Sequence, residues 1–254
     1  MMTKNTLIKT LVGVNEIKIK NVQLDTSHDG VKTLIATVEP FKNKQCRCPY
    51  CDKKLPKYDT PAQPQSWRGL DCGGVLIDIR STIPRVSCPE HGVVTAAVPW
   101  AFHNSRFTKE FDLTVGWLSR TLNKSAISQY MRISWACVGR CITRTMNYLE
   151  PDKSSRFTNL KRIGIDETSY SKGHKYITTV IDHDTNTVVW VSDKHGKTVL
   201  ERFFRELTEE QRAGIEVVSG DGARWITECV EEYCPQARRC TDPLCKALHN
   251  GSNE

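Results

Sequence analysis

Apolar and polar side chains change their spacing three times along this chain, and each change marks a different kind of structure. Residues 6–40 alternate apolar and polar positions in two runs, Ile17-Lys-Ile-Lys-Asn-Val-Gln-Leu24 and Val31-Lys-Thr-Leu-Ile-Ala-Thr-Val38. A period of two belongs to a strand with one wet face, and Ser27-His-Asp-Gly30 between the runs is a turn in which Gly30 can take positive φ. A hairpin is predicted there. Strand-like runs follow at 75–80 and 82–87, after a Pro-containing stretch, 53–67, that predicts a loop. From 105 to 150 the period becomes helical. Phe111, Val115, Leu118 and Leu122 recur at i, i+4, i+7 and i+11 and predict an amphipathic helix over 108–122. A short second helix is predicted at 124–131. Ser134 is placed to cap a third helix over 135–148, packed through Val138, Ile142 and Met146. Three helices with a tight turn before the last describe a helix-turn-helix module.

Residues 151–159 read as a linker, after which short strands return: Arg162-Ile-Gly-Ile165, Tyr176-Ile-Thr-Thr-Val-Ile181 and Thr187-Val-Val-Trp-Val-Ser192. Lys172-Gly-His174 and Asp182-His-Asp-Thr-Asn186 join them with hairpin chemistry. An amphipathic helix carrying Val199, Phe203, Phe204 and Leu207 comes next, then a strand, Ile215-Glu-Val-Val-Ser219, and a helix over about 223–233. This order opens an RNase H-like fold, whose first and fourth strands are neighbours. Asp166 and Asp221, at the ends of those strands, would then converge. Paired carboxylates suit magnesium or manganese, which takes oxygen ligands and neutralises a phosphodiester under attack. Read singly, Asp166 is a turn acid and Asp221 an N-cap.

Composition narrows the class. With 254 residues, 39% of them hydrophobic, the chain can bury two or three cores and is not a disordered protein. The net charge of +7 is uneven: residues 1–150 hold 21 basic against 12 acidic side chains, and the remainder 15 against 17. A basic front half points to a polyanionic partner. No leader-like pattern opens the chain, and no run approaches the roughly 18 apolar residues of a membrane span, so a cytoplasmic protein with no membrane partner is expected. Eleven cysteines in a reducing compartment favour metal binding or free thiols over disulfides. Cys48-Pro-Tyr-Cys51 and Cys88-Pro-Glu-His91 have the form of paired zinc-ribbon knuckles and predict one structural zinc. Cys46 and Cys72 stand nearby as alternative ligands, and Cys137 and Cys141 read as small core residues. Arg140 and Arg144, one turn apart on the third helix, and Arg132 in the turn before it, are the candidate DNA contacts.

Together these residues resemble a family. The two knuckles, the helix-turn-helix with Ile133-Ser-Trp135, Gly164-Ile-Asp-Glu-Thr-Ser169, Lys172-Gly-His-Lys-Tyr176, Ser219-Gly-Asp-Gly-Ala223 and Cys234-Pro-Gln-Ala-Arg-Arg-Cys-Thr-Asp-Pro243 are similar to the ISL3 family of insertion-sequence transposases, which carry a DDE catalytic domain. The resemblance implies that Asp166 and Asp221 are the first two metal-binding acids and that Cys48, Cys51, Cys88 and His91 hold zinc. It also implies that the helix-turn-helix reads the element's terminal inverted repeats. In the family, Asp-Pro is followed by Phe-His and by a helical region ending in a catalytic glutamate; here Leu-Cys-Lys-Ala-Leu-His249 follows Pro243. That departure implies a truncated catalytic domain without its third acid. Glu228, Glu231 and Glu232 lie on the helix after Asp221 and read as a solvated face. The expected architecture is α+β multidomain: hairpin and zinc ribbon over 1–104, helix-turn-helix over 105–150, and an incomplete RNase H-like domain over 151–254. The expected function is binding of the terminal repeats with metal-dependent DNA strand cleavage and transfer, inactive in the truncated form. The alternative is a non-catalytic DNA-binding regulator, acting as a homo-oligomer or with a full-length transposase.

Overall fold

The alternating runs fold as β1 (Ile17–Thr26) and β2 (Lys32–Pro40), paired antiparallel across a turn in which Gly30 has φ +75°. The computed structural model describes residues 6, 8–10, 13–171 and 175–241. The Lys172-Gly-His174 connection and the residues from Asp242 onward lie outside them. The chain divides into two compact units, Met1–Pro151 and Asp152–Glu254.

In the first unit, the stretch expected to be a loop carries β3 (Lys57–Asp59) and β4 (Gln65–Arg68). Pro56, Pro61 and Pro64 stand outside these strands, where no ladder N–H is needed. β4, β5 (Leu76–Ser81) and the hairpin form one sheet in the order β1-β2-β5-β4. β3, β6 (Arg85–Cys88) and β7 (Gly92–Thr95) form a second. The expected sheet between the knuckles is therefore shared between two sheets, and β5 belongs to the hairpin. The physical reason is its buried period-two face: Ile77 and Ile79 pack with Ile17, Val38 and Trp67, an apolar layer the small ribbon cannot supply.

The helical module of the same unit is α1 (Lys109–Leu118), α2 (Lys124–Met131) and α3 (Trp135–Leu149). Each begins at a side-chain cap: Thr108, Asn123 and Ser134 accept from Phe111 N, Ala126 N and Cys137 N at 3.3, 2.9 and 3.3 Å. Arg132, at φ +53°, closes α2 in the left-handed conformation and makes the tight turn. Phe111, Val115, Ile127, Val138 and Cys141 fill the core. α1 stops before Leu122, which is 41% exposed, and Met146 is 42% exposed rather than packed. Thr145 takes the inward position instead, donating to the Asp112 carbonyl at 2.7 Å.

Part of the stretch that reads as a linker packs into the second unit. A 3-10 turn, Lys153–Phe157, is anchored by Phe157, whose ring meets Phe203 edge-on at 5.9 Å, and Leu160 is buried beside it. Next come β8 (Arg162–Ser171), β9 (Lys175–Asp182), β10 (Thr187–Asp193), α4 (Lys197–Glu206), α5 (Glu209–Ala213), β11 (Val217–Gly220), α6 (Arg224–Tyr233) and β12 (Arg238–Thr241). The sheet order is β10-β9-β8-β11-β12, with β11 parallel to both its neighbours. This is the RNase H-like order, with the first and fourth strands side by side. Leu200, Phe203 and Phe204 of α4 and Ile226 and Cys229 of α6 share one core with Ile163 and Val218. β8 runs past Asp166 to Ser171, longer than the short strand predicted, while β11 pairs only with residues 162–165 of it.

Candidate metal centres and nucleic-acid interface

The zinc ligands come together from two turns. Cys48 and Cys51 flank a turn closed by Asp52 N to Cys48 O at 3.1 Å, and Cys88 to His91 is the turn between β6 and β7. Cys51 Sγ is 3.8 Å from Cys88 Sγ, and His91 Nδ1 is 3.6 Å from Cys48 Sγ and 3.4 Å from Cys88 Sγ. All four ligand atoms lie within 4.8 Å of one another. A tetrahedral ion with bonds of about 2.0–2.3 Å needs ligand pairs roughly 3.5–3.8 Å apart, so the donor set fits zinc in size and chemistry. Burial raises the Cys48 thiol, but the N–H groups of Cys51 and Tyr50 more than offset it and hold it below the ordinary thiol value. Cys46 and Cys72 are not part of the group. Tyr50, inside the first knuckle, escaped the sequence reading: its ring stacks on His91 at 4.9 Å and its hydroxyl shares a hydrogen bond with His103 Nε2 at 3.0 Å. It braces the one imidazole ligand from outside.

The three candidate DNA arginines have different surroundings. Arg140 is exposed on α3, its Nη2 2.9 Å from Cys137 Sγ. Arg132 is about half exposed and paired with Asp71, which also receives Arg68. Arg144 corrects the expectation of two outward arginines. Its guanidinium lies 2.8 and 2.7 Å from the two Asp112 oxygens, and Asp112 is fully buried, with Ser105 Oγ donating to it at 2.8 Å. Burial alone would pull Arg144 down, and the Asp112 carboxylate more than reverses that. A helical wheel shows Arg144 next to Arg140 but not that a carboxylate from α1 turns it inward. Cys141 is fully buried, as expected, while Cys137 at the start of α3 is half-buried, its thiol lowered by the Ser134 side chain.

In the second unit, Gly220 of β11 stands opposite Ile165 of β8. Asp221 and Asp166 are the residues that directly follow this last pair of the register, on neighbouring parallel strands whose usual spacing is about 4.8 Å. Asp166 is exposed and Asp221 half-buried. Thr168 Oγ1 donates to Asp166 Oδ2 at 3.1 Å, and Ala223 N to Asp221 Oδ1 at 2.9 Å; the helix is capped at Ala223 without a side-chain bond, so Asp221 closes a turn before it and is not its N-cap. The other oxygen of each lies outside these hydrogen bonds, and carboxylate oxygens are the donor type that magnesium or manganese takes. Among the described residues no third His, Cys, Asp or Glu completes a group with them. Glu228 and Glu232 instead converge on Lys197 at 3.6 and 3.4 Å, and Glu231 is exposed.

Two neighbours of the pair were not anticipated. Glu167 accepts from Gly196 N at 3.0 Å, tying β8 to the start of α4. His183 shares a hydrogen bond with Ser219 Oγ at 2.7 Å, and a Cβ on Gly164 would stand 2.6 Å from its Nε2. Gly164 and Ser219 face each other one same-face step behind the acids, so glycine at 164 makes room for an imidazole beside them.

A ribbon with a four-donor zinc set, a helix-turn-helix and an RNase H-like sheet with one acid in β8 and another just after β11 make up the domain set of an insertion-sequence transposase. Family models agree with each segment: residues 44–91 match the zinc-finger of transposase IS204/IS1001/IS1096/IS1165, 96–145 the helix-turn-helix domain of transposase family ISL3, and 163–244 the ISL3 DDE transposase model. The chain carries the zinc-ribbon, helix-turn-helix and transposase domains of the ISL3 family of insertion-sequence transposases. Among curated relatives it is similar to the transposase for insertion sequence element IS1557 in two strains of Mycobacterium tuberculosis, with 41% identity over 241 residues, 94% of this chain and 54% of the relative. The transposase for IS1001 of Bordetella parapertussis is 22% identical over 140 residues, 54% of this chain and 34% of that protein. The chain spans about half the length of the IS1557 relatives. No helix among the described residues is long and apolar enough to cross a membrane.

Proposed function

We propose that the chain binds the terminal inverted repeats of an insertion sequence and takes part in metal-dependent strand cleavage and transfer at their ends. In this reading residues 1–104 are a hairpin and zinc-ribbon domain, 105–150 the DNA-reading module and 151–254 the catalytic domain. Cys48, Cys51, Cys88 and His91 hold a structural zinc. Arg140 reaches DNA from α3, and Arg132 supports it from the turn. The observation that carries the catalytic part is the placement of Asp166 and Asp221 one step beyond the β8–β11 register, each with one oxygen outside its local hydrogen bond. Magnesium or manganese bound there would neutralise the phosphodiester and activate the attacking oxygen. The chain's own part is to hold both carboxylates on strands fixed by a shared core, with Glu167 keeping β8 against α4 and Gly164 admitting His183 beside the acids.

A second reading is DNA binding without cleavage, the chain occupying the repeats as a homo-oligomer or beside a full-length transposase. The lack of a third ligand among the described residues favours it. One experiment separates the two: purified protein is incubated with a labelled duplex bearing the element's ends, in magnesium, in manganese and without either. Nicking by the wild type that Asp166→Asn and Asp221→Asn abolish supports catalysis. Specific binding with no nicking in either metal leaves the regulator reading standing and overturns the other.

A further inference from the structure

Between the ribbon and the first helix of the helix-turn-helix, the first unit holds a cavity of about 410 Å³, inside the usual range for a ligand site. Gln65, His103, Asn104, Arg106 and Lys109 are among its polar groups, and among the described residues that line it there is no aspartate or glutamate. Several cations elsewhere in this unit are paired with neighbouring acids: Arg47 with Asp52, Lys53 with Glu90, Arg85 with Asp59, Arg132 with Asp71 and Arg144 with Asp112. Arg106 and Lys109 line this one cavity together. Among the described residues neither pairs with a carboxylate, and Lys109 Nζ is stationed over the Phe102 ring at 5.8 Å. His103 is held in place by Tyr50, and burial keeps its imidazole below the ordinary value, so it offers a neutral ring rather than a third charge. Two uncompensated cations, two amide side chains and buried Trp67 in one concavity suit a group that is anionic at one end and apolar or hydrogen-bonding at the other.

We propose that this cavity is a second DNA contact, seating one backbone phosphate and its nucleotide between ribbon and helix-turn-helix, with Arg106 and Lys109 as the phosphate-binding pair. The inference rests on the reading of the chain as DNA-binding and adds a site away from α3. Phosphate contacts of this kind set register on the duplex and carry no sequence preference. The test measures binding of the full chain to a fluorescein-labelled duplex by anisotropy over a range of salt. Arg106→Gln with Lys109→Gln should flatten the log–log salt slope by about 0.9, the value for one phosphate contact, with zinc content and melting temperature unchanged. Arg106→Lys with Lys109→Arg should retain the wild-type slope. An unchanged slope in the Gln variant overturns the cavity and leaves DNA binding by α3 intact, whereas a wild type that binds no DNA overturns both. A measurement without substitution guards against misfolding: duplex DNA should slow acetylation of Lys109 by acetic anhydride several-fold, and equal rates with and without DNA would sink the proposal.

Discussion

Arg144 shows how far a single residue departs from its position on a helical wheel. Spacing places it beside Arg140 as an outward cation, but its guanidinium is spent on the fully buried Asp112 carboxylate. Removing one partner of such a pair leaves an uncompensated charge in a low-dielectric core, so Arg144→Ala should destabilise the first unit by about 3–5 kcal/mol. Chemical denaturation checks this. In conditions where the variant remains folded, its DNA salt slope should match the wild type, while Arg140→Ala should flatten the slope by about 0.9. A flattened slope for Arg144→Ala with normal stability would restore it as a DNA contact. The zinc ligands were legible because Cys-Pro-x-Cys and Cys-Pro-x-His are turn chemistry as well as ligand chemistry. Tyr50 and Asp112 were not, since their partners His103 and Arg144 are 53 and 32 residues away.

Elements with a clear period were read with their type and nearly their bounds, the hairpin, α2, α3 and α6, and α4 with its type and apolar face. Those missed lack an apolar pattern of their own. β12, Arg238-Arg239-Cys240-Thr241, is a strand because β11 offers it a parallel edge, and β3 is three residues long. Close approach of two elements was equally silent. Gly116 on α1 faces Thr145 on α3, and a Cβ there would lie 2.5 Å from Thr145 Cγ2 and 2.8 Å from its Cβ. Alanine gains about 1 kcal/mol of helix propensity over glycine. The collision with atoms next to the α3 backbone outweighs that gain, since overpacking costs about 1–3 kcal/mol. Gly116→Ala should therefore lower the melting temperature; a raised one would show that α1 and α3 can separate without loss.

The two units have separate cores, and only the first includes the zinc donors. Residues 1–151 expressed alone should fold with about one zinc, by elemental analysis, and bind DNA. The three-stranded ribbon sheet buries little, so metal supplies much of its folding free energy. Every ligand must shed a proton to bind the ion. Zinc should accordingly be retained at neutral pH and released as the pH falls, with loss of the ribbon's structure; a ribbon equally ordered after chelation would contradict this. The sequence by itself determined what short-range chemistry can encode: the hairpin turn, the two zinc knuckles, the helix caps and the order of strands and helices in the second unit. Tertiary structure alone decided which strands share a sheet, that Arg144 turns inward, that Arg106 and Lys109 keep their charge unpaired, and that β8 and β11 pair up to the residues just before Asp166 and Asp221. Each of these depends on a partner distant along the chain, brought near by burial of apolar faces that specify a layer but not a neighbour.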